Sequence, residues 1–404
     1  MLGRSASADE PGRAPFVARN DPPFFRPLGG AERAAADLGQ RVFNTSFLPA
    51  GTSGAARIAG LGPLYNAASC DACHNDGARA SGPAGDGPVP IALVLRLASP
   101  TARNGQPAGD PMYGRTLNTS AVDGVAAEGQ VRVRYAAHKV RFADGATAEL
   151  RVPTYEVVEP SRGPLAATTV LQPRIAPAIF GTGLLDMAVA PCTATGRFGW
   201  QSETRSVREQ TATAFAREMG LTTSEVPADD RTPAELAAGA AAAGGAEIDA
   251  ALLAALVTYE RLLAVPATAR DAGIEVRGNR LFIRLGCVAC HTPSLRVPAG
   301  ALGDAHEAHI QPYTDLRLHD LGEALADRDV TGHAAPTRFR TAPLWGLGYR
   351  PRPTSALTFL HDGRARTVTE AILWHDGEAR PARRRFMGLR ASDRALLDQW
   401  VLER

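Results

Sequence analysis

Two short stretches decide the fold of this chain: CDACH at residues 70–74 and CVACH at residues 287–291. In each stretch, two cysteines lie three positions apart and a histidine directly follows the second. Histidine accounts for 9 of the 404 residues, so two such coincidences have a chance probability of about 1 in 2000. The repetition therefore indicates the same chemistry at both places.

The spacing is typical of covalent haem attachment. Two thiols three residues apart on one helical turn can add to the two vinyl groups of a haem, and the next residue then directs its imidazole at the iron. We therefore predict two covalently bound haems of the c type. Their attachment cysteines and axial ligands would be Cys70, Cys73, His74, Cys287, Cys290 and His291.

Zinc binding and disulfide or dithiol chemistry are the alternatives to haem. The paired cysteines of a zinc ribbon are usually about 15–20 residues apart, whereas 213 residues lie between Cys73 and Cys287. A thioredoxin-like dithiol does not require the histidine. The fifth cysteine, Cys192, belongs to neither motif, and a buried free thiol is favoured there over a redox role.

The composition is that of a globular chain of two or three domains, with 45% apolar and 21% charged residues. The 44 basic and 42 acidic side chains give a net charge of +2, so no overall field favours nucleic acid or an anionic membrane. The longest apolar runs, 91–97 and 252–257, are far shorter than the ~18 residues of a membrane span. We predict neither a nucleic-acid partner nor a membrane span.

The first 30 residues lack the apolar segment of a secretory signal. Because haem is attached to such motifs outside the bacterial cytoplasm, we expect the native protein to be periplasmic, exported by a leader peptide that is absent from this chain.

The predicted fold class is mainly α, with two cytochrome c-like haem domains and a β-hairpin insertion in the N-terminal half. The approaches to the two motifs resemble each other, with Gly39-x-x-x-Phe43 before the first and Gly278-x-x-x-Phe282 before the second. A helical stripe that ends before Pro266 suggests a boundary there. The predicted organisation is an extended tail at 1–30, an N-terminal haem domain at 31–265 and a C-terminal haem domain at 266–404.

The hairpin is predicted from alternation. Val131, Val133 and Tyr135 alternate with arginines, a second alternating run includes Leu150, and an Asp144-Gly145 turn lies between the two runs. The β insertion is placed at about residues 125–160.

Several stretches around the two Cys-x-x-Cys-His motifs carry a family resemblance: Gly60–His74, Arg174–Asp186, Phe198–Gly220, Tyr313–Gly322, Arg340–Gly348 and Phe359–His375. Through them the sequence resembles the bacterial dihaem cytochrome c peroxidase superfamily and, within it, the di-haem oxidoreductase (putative peroxidase) family. The resemblance implies two haem domains and the reduction of hydrogen peroxide with electrons relayed between the haems.

The resemblance also implies roles for individual residues. Trp200 would lie between the haems, and Gln210 and Glu218 would assist catalysis at an open face of the N-terminal haem. The interval from Gln210 to Glu218 is two residues shorter than in the family pattern.

The chain departs from the family pattern at two positions. His375 stands where peroxidases commonly have a methionine as distal ligand of the C-terminal haem, so we predict His375 as that ligand, with His319 as the second candidate and His361 as a neighbouring support. Bis-histidine ligation lowers the reduction potential relative to His/Met. Ile175 stands where the family has a calcium-binding asparagine, and an aliphatic side chain cannot coordinate calcium, so calcium is not expected.

Together these features predict a periplasmic dihaem oxidoreductase of the peroxidase type. A dihaem electron-transfer protein without catalysis, and a dihaem enzyme that oxidises a protein or organic partner, are the alternatives. The electron donor would be a small c-type cytochrome or a cupredoxin.

Overall fold

The computed structural model of the protein describes residues 24–49, 59–103, 106–190, 196–228, 232, 246–267, 271–302, 306–333, 338–352 and 355–404. Cys192 and most of the predicted N-terminal tail lie outside these residues. The part of the tail that is described packs inward: Phe24 and Phe25 are buried, and the amide of Phe25 donates a hydrogen bond to the Leu262 carbonyl at 3.1 Å.

The described residues contain eight α-helices, none of which is long and apolar enough to cross a membrane. They are α1 Gly30–Asn44, α2 Thr182–Met187, α3 Val207–Glu218, α4 Ala250–Leu262, α5 Ala272–Leu285, α6 Val368–Trp374, α7 Arg380–Met387 and α8 Ala391–Leu402. Single 3-10 turns lie at Asn75–Gly77, Cys287–Ala289, Glu323–Leu325 and Gly377–Ala379.

The strands of the same residues are mostly short. They are β1 Leu48–Pro49, β2 Ala59–Leu61, β3 Leu64–Tyr65, β4 Gly87–Pro88, β5 Leu93–Arg103, β6 Gln106–Ala108, β7 Ser120–Ala121, β8 Gln130–Arg141, β9 Thr147–Val158, β10 Val170–Ile175, β11 Leu295–Val297, β12 Ala308–Ile310, β13 Leu318–Asp320, β14 Arg328–Asp329 and β15 Arg338–Arg340.

The prediction of a mainly α fold is wrong. The structure is 30% helix and 22% strand, with a four-stranded sheet in the order β14-β10-β5-β6 and a three-stranded sheet in the order β4-β8-β9. The missed sheet contains β5, where Leu93, Leu95 and Leu97 are buried. A short apolar run of this kind cannot be assigned to helix or strand from periodicity alone, which is why the sequence did not reveal it.

The predicted hairpin is present and long. Strands β8 and β9 pair antiparallel from Gln130 opposite Val158 to Arg141 opposite Thr147. Gly145 in the connecting turn has φ 87°, a left-handed conformation that glycine adopts without strain. The tip of the hairpin reaches the C-terminal half of the chain, where Val140, Phe142 and Leu150 belong to the same apolar core as α5 and α8.

The repeat in the sequence corresponds to a repeated helix crossing. A Cβ atom on Gly39 of α1 would lie 2.1 Å from the Ala255 carbonyl oxygen of α4, and one on Gly278 of α5 would lie 2.2 Å from Trp400 Cγ of α8. Four residues later, Phe43 packs against Tyr259 of α4 and Phe282 against Trp400, with ring centroids 5.4 and 4.8 Å apart. Each Cys-x-x-Cys-His loop therefore follows a helix that is pressed against a later helix through a glycine.

The two largest apolar cores contain one helix crossing each, although the first also includes Val297, Ile310 and Trp345 from beyond residue 266. The domain limits given above stay a prediction.

Candidate functional site

One cavity of about 280 Å³ brings together the residues predicted for the N-terminal haem. The loop that carries the first Cys-x-x-Cys-His motif, the turn before α3 and the inner face of α3 all contribute to its wall. The predicted residues that line it are Cys70, Cys73, His74, Trp200, Gln210 and Glu218.

The first attachment loop orients its histidine. The backbone amide of His74 donates to the Cys70 carbonyl at 2.9 Å, which closes one turn. Nδ1 of His74 lies 2.8 Å from the Pro177 carbonyl oxygen and must carry the proton in that hydrogen bond, so the Nε2 lone pair is left for a metal. Burial lowers the pKa of His74, and a neutral imidazole is the form that ligates iron.

The second attachment loop has the same construction. The amide of His291 donates to the Cys287 carbonyl at 2.9 Å, and Nδ1 of His291 donates to the Tyr313 carbonyl at 3.0 Å. Burial lowers the pKa of His291 to about 4. Gly286, in the left-handed region at φ 86°, ends α5 and turns the chain into the loop. Both motifs thus present a neutral histidine with a free Nε2.

His375 lies directly after α6 and close to His291. Its Nδ1 donates to the Ala371 carbonyl at 2.6 Å, which leaves Nε2 free. Burial lowers the pKa of His375, and the charge of His375 contributes to the lowered pKa of His291. The pair has the protonation needed for two axial ligands, and the ligand role of His375 stays a prediction.

His319 is engaged differently. Its Nε2 lies 2.9 Å from an Asp315 carboxylate oxygen and its Nδ1 lies 2.7 Å from a Glu378 oxygen. The pKa of His319 is raised to about 11, and the hydrogen bond to Asp315 contributes most to this rise. An imidazolium whose two N–H groups both donate to carboxylates has no lone pair for iron. The arrangement favours His375 over His319 as the distal ligand.

Trp200 is placed between the cavity and the second core. Its indole Nε1 donates to the Ile175 carbonyl at 3.0 Å, and the Ile175 amide donates to the His361 carbonyl at 2.7 Å. The guanidinium of Arg79 lies 5.3 Å from the indole ring. The ring lines the N-terminal cavity and also packs against the apolar core that contains α5 and α8.

The predicted catalytic pair on α3 is held by neighbouring side chains. Glu218 forms an ion pair with Arg96 of β5 at 3.1 Å and accepts a hydrogen bond from Asn66 at 3.3 Å. Gln210, two turns earlier, accepts a hydrogen bond from the Thr204 hydroxyl at 2.8 Å.

Sequence reasoning missed two features of this region. Glu260 of α4 lines the cavity, although it occupies a position of the apolar stripe, four residues after Leu256. An acid on an apolar stripe was the signal that could have revealed it. The second feature is a buried ion pair between Arg174 and Asp327, with N–O distances of 2.6 and 2.8 Å.

The calcium position of the family has a different environment here. Ile175 is buried, and its neighbour in the chain is Arg174 of the buried ion pair. His361 is also buried, with Nε2 4.0 Å from Asp327 and the ring stacked on Phe339 at 4.1 Å. Within the described ranges, no group of three or more His, Cys, Asp or Glu side chains is arranged to hold a metal ion.

Residues 185–403 match the sequence model of a family described as "di-haem oxidoreductase, putative peroxidase". The chain belongs to this family. Membership in a di-haem family implies two haems and an oxidoreductase function. A solved structure of hydrazine synthase from Kuenenia stuttgartiensis, pressurized with xenon, is also similar. That match covers 100% of this chain and 98% of that chain at 14% identity, with a TM-score of 0.40. No curated protein matches the chain.

The cavity has the thiols that a covalently attached haem needs, and it also has positive charges that suit one. Arg79 and Arg340 line it, and within the described residues their guanidinium groups donate only to backbone carbonyl oxygens. Burial lowers the pKa of both to about 10. The charges of Asp362 and Glu203 oppose this lowering for Arg79 and Arg340 respectively, but neither arginine donates a hydrogen bond to a carboxylate in the described residues. Buried cations of this kind are suited to the propionate groups of a haem.

Proposed function

We propose that the protein is a periplasmic c-type dihaem oxidoreductase that reduces hydrogen peroxide. The observation that carries this proposal is the single cavity that unites Cys70, Cys73 and His74 with Trp200, Gln210 and Glu218. A pure electron carrier needs no polar side chains beside its haem, whereas O–O cleavage requires groups that hold and move protons.

Covalent attachment is supported by the state of the thiols. Burial raises the pKa of Cys73 to about 12 and that of Cys287 to about 11. The thiols are therefore protonated until they react, and each loop has a histidine beside them with a free Nε2. Thioether formation in the periplasm is the chemistry that this arrangement favours.

When bound, the N-terminal haem would supply the redox chemistry that breaks the peroxide bond, and the C-terminal haem would hold the second electron. Around them, the chain has separate tasks. Pro177 and Tyr313 fix the rings of His74 and His291 through their carbonyl groups. Gln210 offers an amide beside the cavity, and Trp200 provides an aromatic ring between the cavity and the second core.

The electron donor would dock beside the second attachment loop. Exposed arginines with a common orientation lie on α5, next to exposed Val276 and Ile283. Arg385 of α7 donates to the Leu285 carbonyl at 2.9 Å and so stands at the start of the loop. This basic face suits an acidic small cytochrome or cupredoxin. Its exposed arginines are Arg277, Arg280, Arg284, Arg384 and Arg385.

The test begins with protein from a host that matures c-type cytochromes. Intact mass and a pyridine haemochrome assay should report two covalent haems, and the double variant Cys70→Ser/Cys73→Ser should lose one of them. Hydrogen peroxide added to reduced protein should oxidise both haems within seconds. Two haems without any oxidation by peroxide would overturn the peroxidase proposal. In that case, binding of carbon monoxide would favour an enzyme for another substrate, and no binding would favour an electron carrier.

A further inference from the structure

Two further acids line the N-terminal cavity besides Glu218. Glu203 is exposed, and its carboxylate accepts a hydrogen bond from the Gln201 amide at 3.1 Å. Glu260, on the last turn of α4, lines the cavity together with Cys70 and Gln210. Its carboxylate is hydrogen-bonded to the hydroxyl of Thr211 on α3. In the part of the chain that the structure describes, no arginine, lysine or histidine forms an ion pair with it.

Glu218 and Glu260 have opposite environments. The carboxylate of Glu218 forms an ion pair with Arg96 at 3.1 Å and accepts a hydrogen bond from Asn66. A carboxylate held by a guanidinium and an amide is stabilised in its ionised form and gives up its negative charge reluctantly. Among the described residues, the hydrogen bond of the Glu260 carboxyl group is with the Thr211 hydroxyl, and no cation pairs with it, so its neutral form costs little.

Thr211 can serve both protonation states of Glu260. Its Oγ1 also lies 2.8 Å from the Val207 carbonyl oxygen. The hydroxyl can donate to this carbonyl while it accepts from a protonated Glu260, or it can turn and donate to the ionised carboxylate. A partner that is satisfied in both states suits a group that gains and loses a proton repeatedly.

The electrostatics agree with this geometry. Burial raises the pKa of Glu260 to about 7, and the hydrogen bond from Thr211 opposes that rise. The titratable groups that face it are Cys70 from the attachment loop and Tyr259 from α4, whose pKa values Glu260 helps to raise. Neither brings a positive charge. Two carboxyl groups in one site can take different roles when their environments differ in this way.

We propose that Glu260 is the proton-donating residue of the N-terminal cavity and that the Thr211 hydroxyl hydrogen-bonds to it in both protonation states. Glu218 would remain ion-paired with Arg96 and would not donate the proton. The inference rests on the proposed peroxidase function. In the net reaction, hydrogen peroxide takes two electrons from the donor protein and two protons, its O–O bond breaks, and two waters form. Glu260 would give one proton to the departing hydroxide and regain it from solvent.

The experiment compares the two-haem holoprotein with its Glu260→Gln, Glu218→Gln and Thr211→Val variants. The first readout is independent of turnover: difference infrared spectra should show a carboxyl band that titrates near pH 7 in the wild type. This band should be absent from E260Q, remain in E218Q and shift upward by about one pH unit in T211V.

The second readout is the pH profile of peroxide reduction. E260Q should reduce peroxide at least about 100-fold more slowly, and its rate should no longer change with pH around pH 7, the change that is called the limb of the profile below. E218Q, whatever its rate, should keep that limb, and T211V should move it upward. Glu209→Gln, the same change on the exposed side of α3, is the matched control and should leave the band and the profile unchanged.

Each other outcome has a defined meaning. A titrating band that survives in E260Q, or an E260Q variant that keeps the rate and the limb, overturns the assignment while the peroxidase function stands. A wild type with two haems, a titrating Glu260 band and no peroxide reduction overturns the peroxidase function, and the assigned role falls with it. If E260Q does not bind two haems, Glu260→Asp provides the test, since it keeps a carboxyl group and should keep a titrating band and a limb.

Discussion

Asp144 at the tip of the β8–β9 hairpin forms an ion pair with Arg394 of α8 at 2.9 Å, across 250 positions of sequence. The same guanidinium lies 3.9 Å from the centre of the Phe142 ring, and the Ala143 amide donates to the Met387 carbonyl at 3.1 Å. At its other end, β8 pairs with β4, which follows the first attachment loop. The hairpin therefore contacts both halves of the molecule and links them; we call it the brace below.

The first prediction concerns this brace and pH. The hydrogen bond from Arg394 holds the pKa of Asp144 below its ordinary value. Stability from the pair is then fully present above the unfolded pKa of about 3.9 and is lost as pH falls through the lower folded value. Asp144→Asn should lower the urea concentration at the midpoint of unfolding at pH 7. The difference between the midpoints of the variant and the wild type should shrink below about pH 4. Asp123→Asn, in an exposed turn, is the control; a difference independent of pH would contradict the ion pair.

The second prediction concerns the helix crossings. Gly39→Ala and Gly278→Ala place a Cβ atom 2.1 and 2.2 Å from atoms of the facing helix. The clash at Gly39 is with backbone and the clash at Gly278 is with the buried ring of Trp400. We therefore expect each substitution to lower the free energy of unfolding by about 1–3 kcal/mol, as overpacking does. Gly30→Ala is the matched control, since nothing lies within 4 Å of its Cβ position. It should stabilise α1 slightly. Equal effects at Gly30 and Gly39 would remove the argument for a close crossing.

The sequence predicts best where local chemistry and structure coincide. The attachment loops follow from cysteine spacing, and the hairpin follows from strict alternation around Asp144-Gly145. The sheet of β5 and β10 was missed because β5 begins with a short, mainly apolar run that periodicity cannot assign, and β10 contains Pro173, a residue that argues against a strand within a sheet. The Arg174–Asp327 pair could not be foreseen either, since it joins residues 153 positions apart, and only the packed fold brings them together. The cavity likewise depends on elements that are distant in sequence, so Glu260 became a site residue only in three dimensions.

The third prediction separates the two candidate distal histidines. His375→Ala should convert the C-terminal haem from low spin to high spin in electron paramagnetic resonance, and His375→Met should raise its reduction potential because a thioether ligand favours the reduced state. His319→Gln should stay low spin, because both ring nitrogens of His319 are engaged with Asp315 and Glu378. Loss of the low-spin signal in His319→Gln alone would reverse the assignment.

The fourth prediction tests the basic face of α5. Arg280→Glu/Arg284→Glu should slow electron transfer from an acidic donor by about 10-fold or more at low ionic strength. The difference should diminish as salt screens the charges. Arg132→Glu/Arg141→Glu, at two exposed positions of β8, changes the net charge by the same amount and should have a smaller effect. Stopped-flow reduction by the donor measures the rate, and equal effects of the two changes would show that net charge, not this face, matters.

The last prediction concerns the buried ion pair beside Trp200. The side chains of Arg174 and Asp327 are only 4% and 1% exposed, and Gln172 adds a hydrogen bond to Asp327 at 3.2 Å. Asp327→Asn leaves an uncompensated buried guanidinium and should lower the free energy of unfolding by about 3–5 kcal/mol. The double variant Arg174→Met/Asp327→Leu removes both charges and should cost less than Asp327→Asn alone, because no buried charge is then left unpaired. Denaturant unfolding of the wild type, Arg174→Met, Asp327→Leu and the double variant measures the coupling between the residues. Additive losses would show that the two charges are stabilised separately by their surroundings, and the ion pair would then have no part in holding β10 against the segment around residue 327.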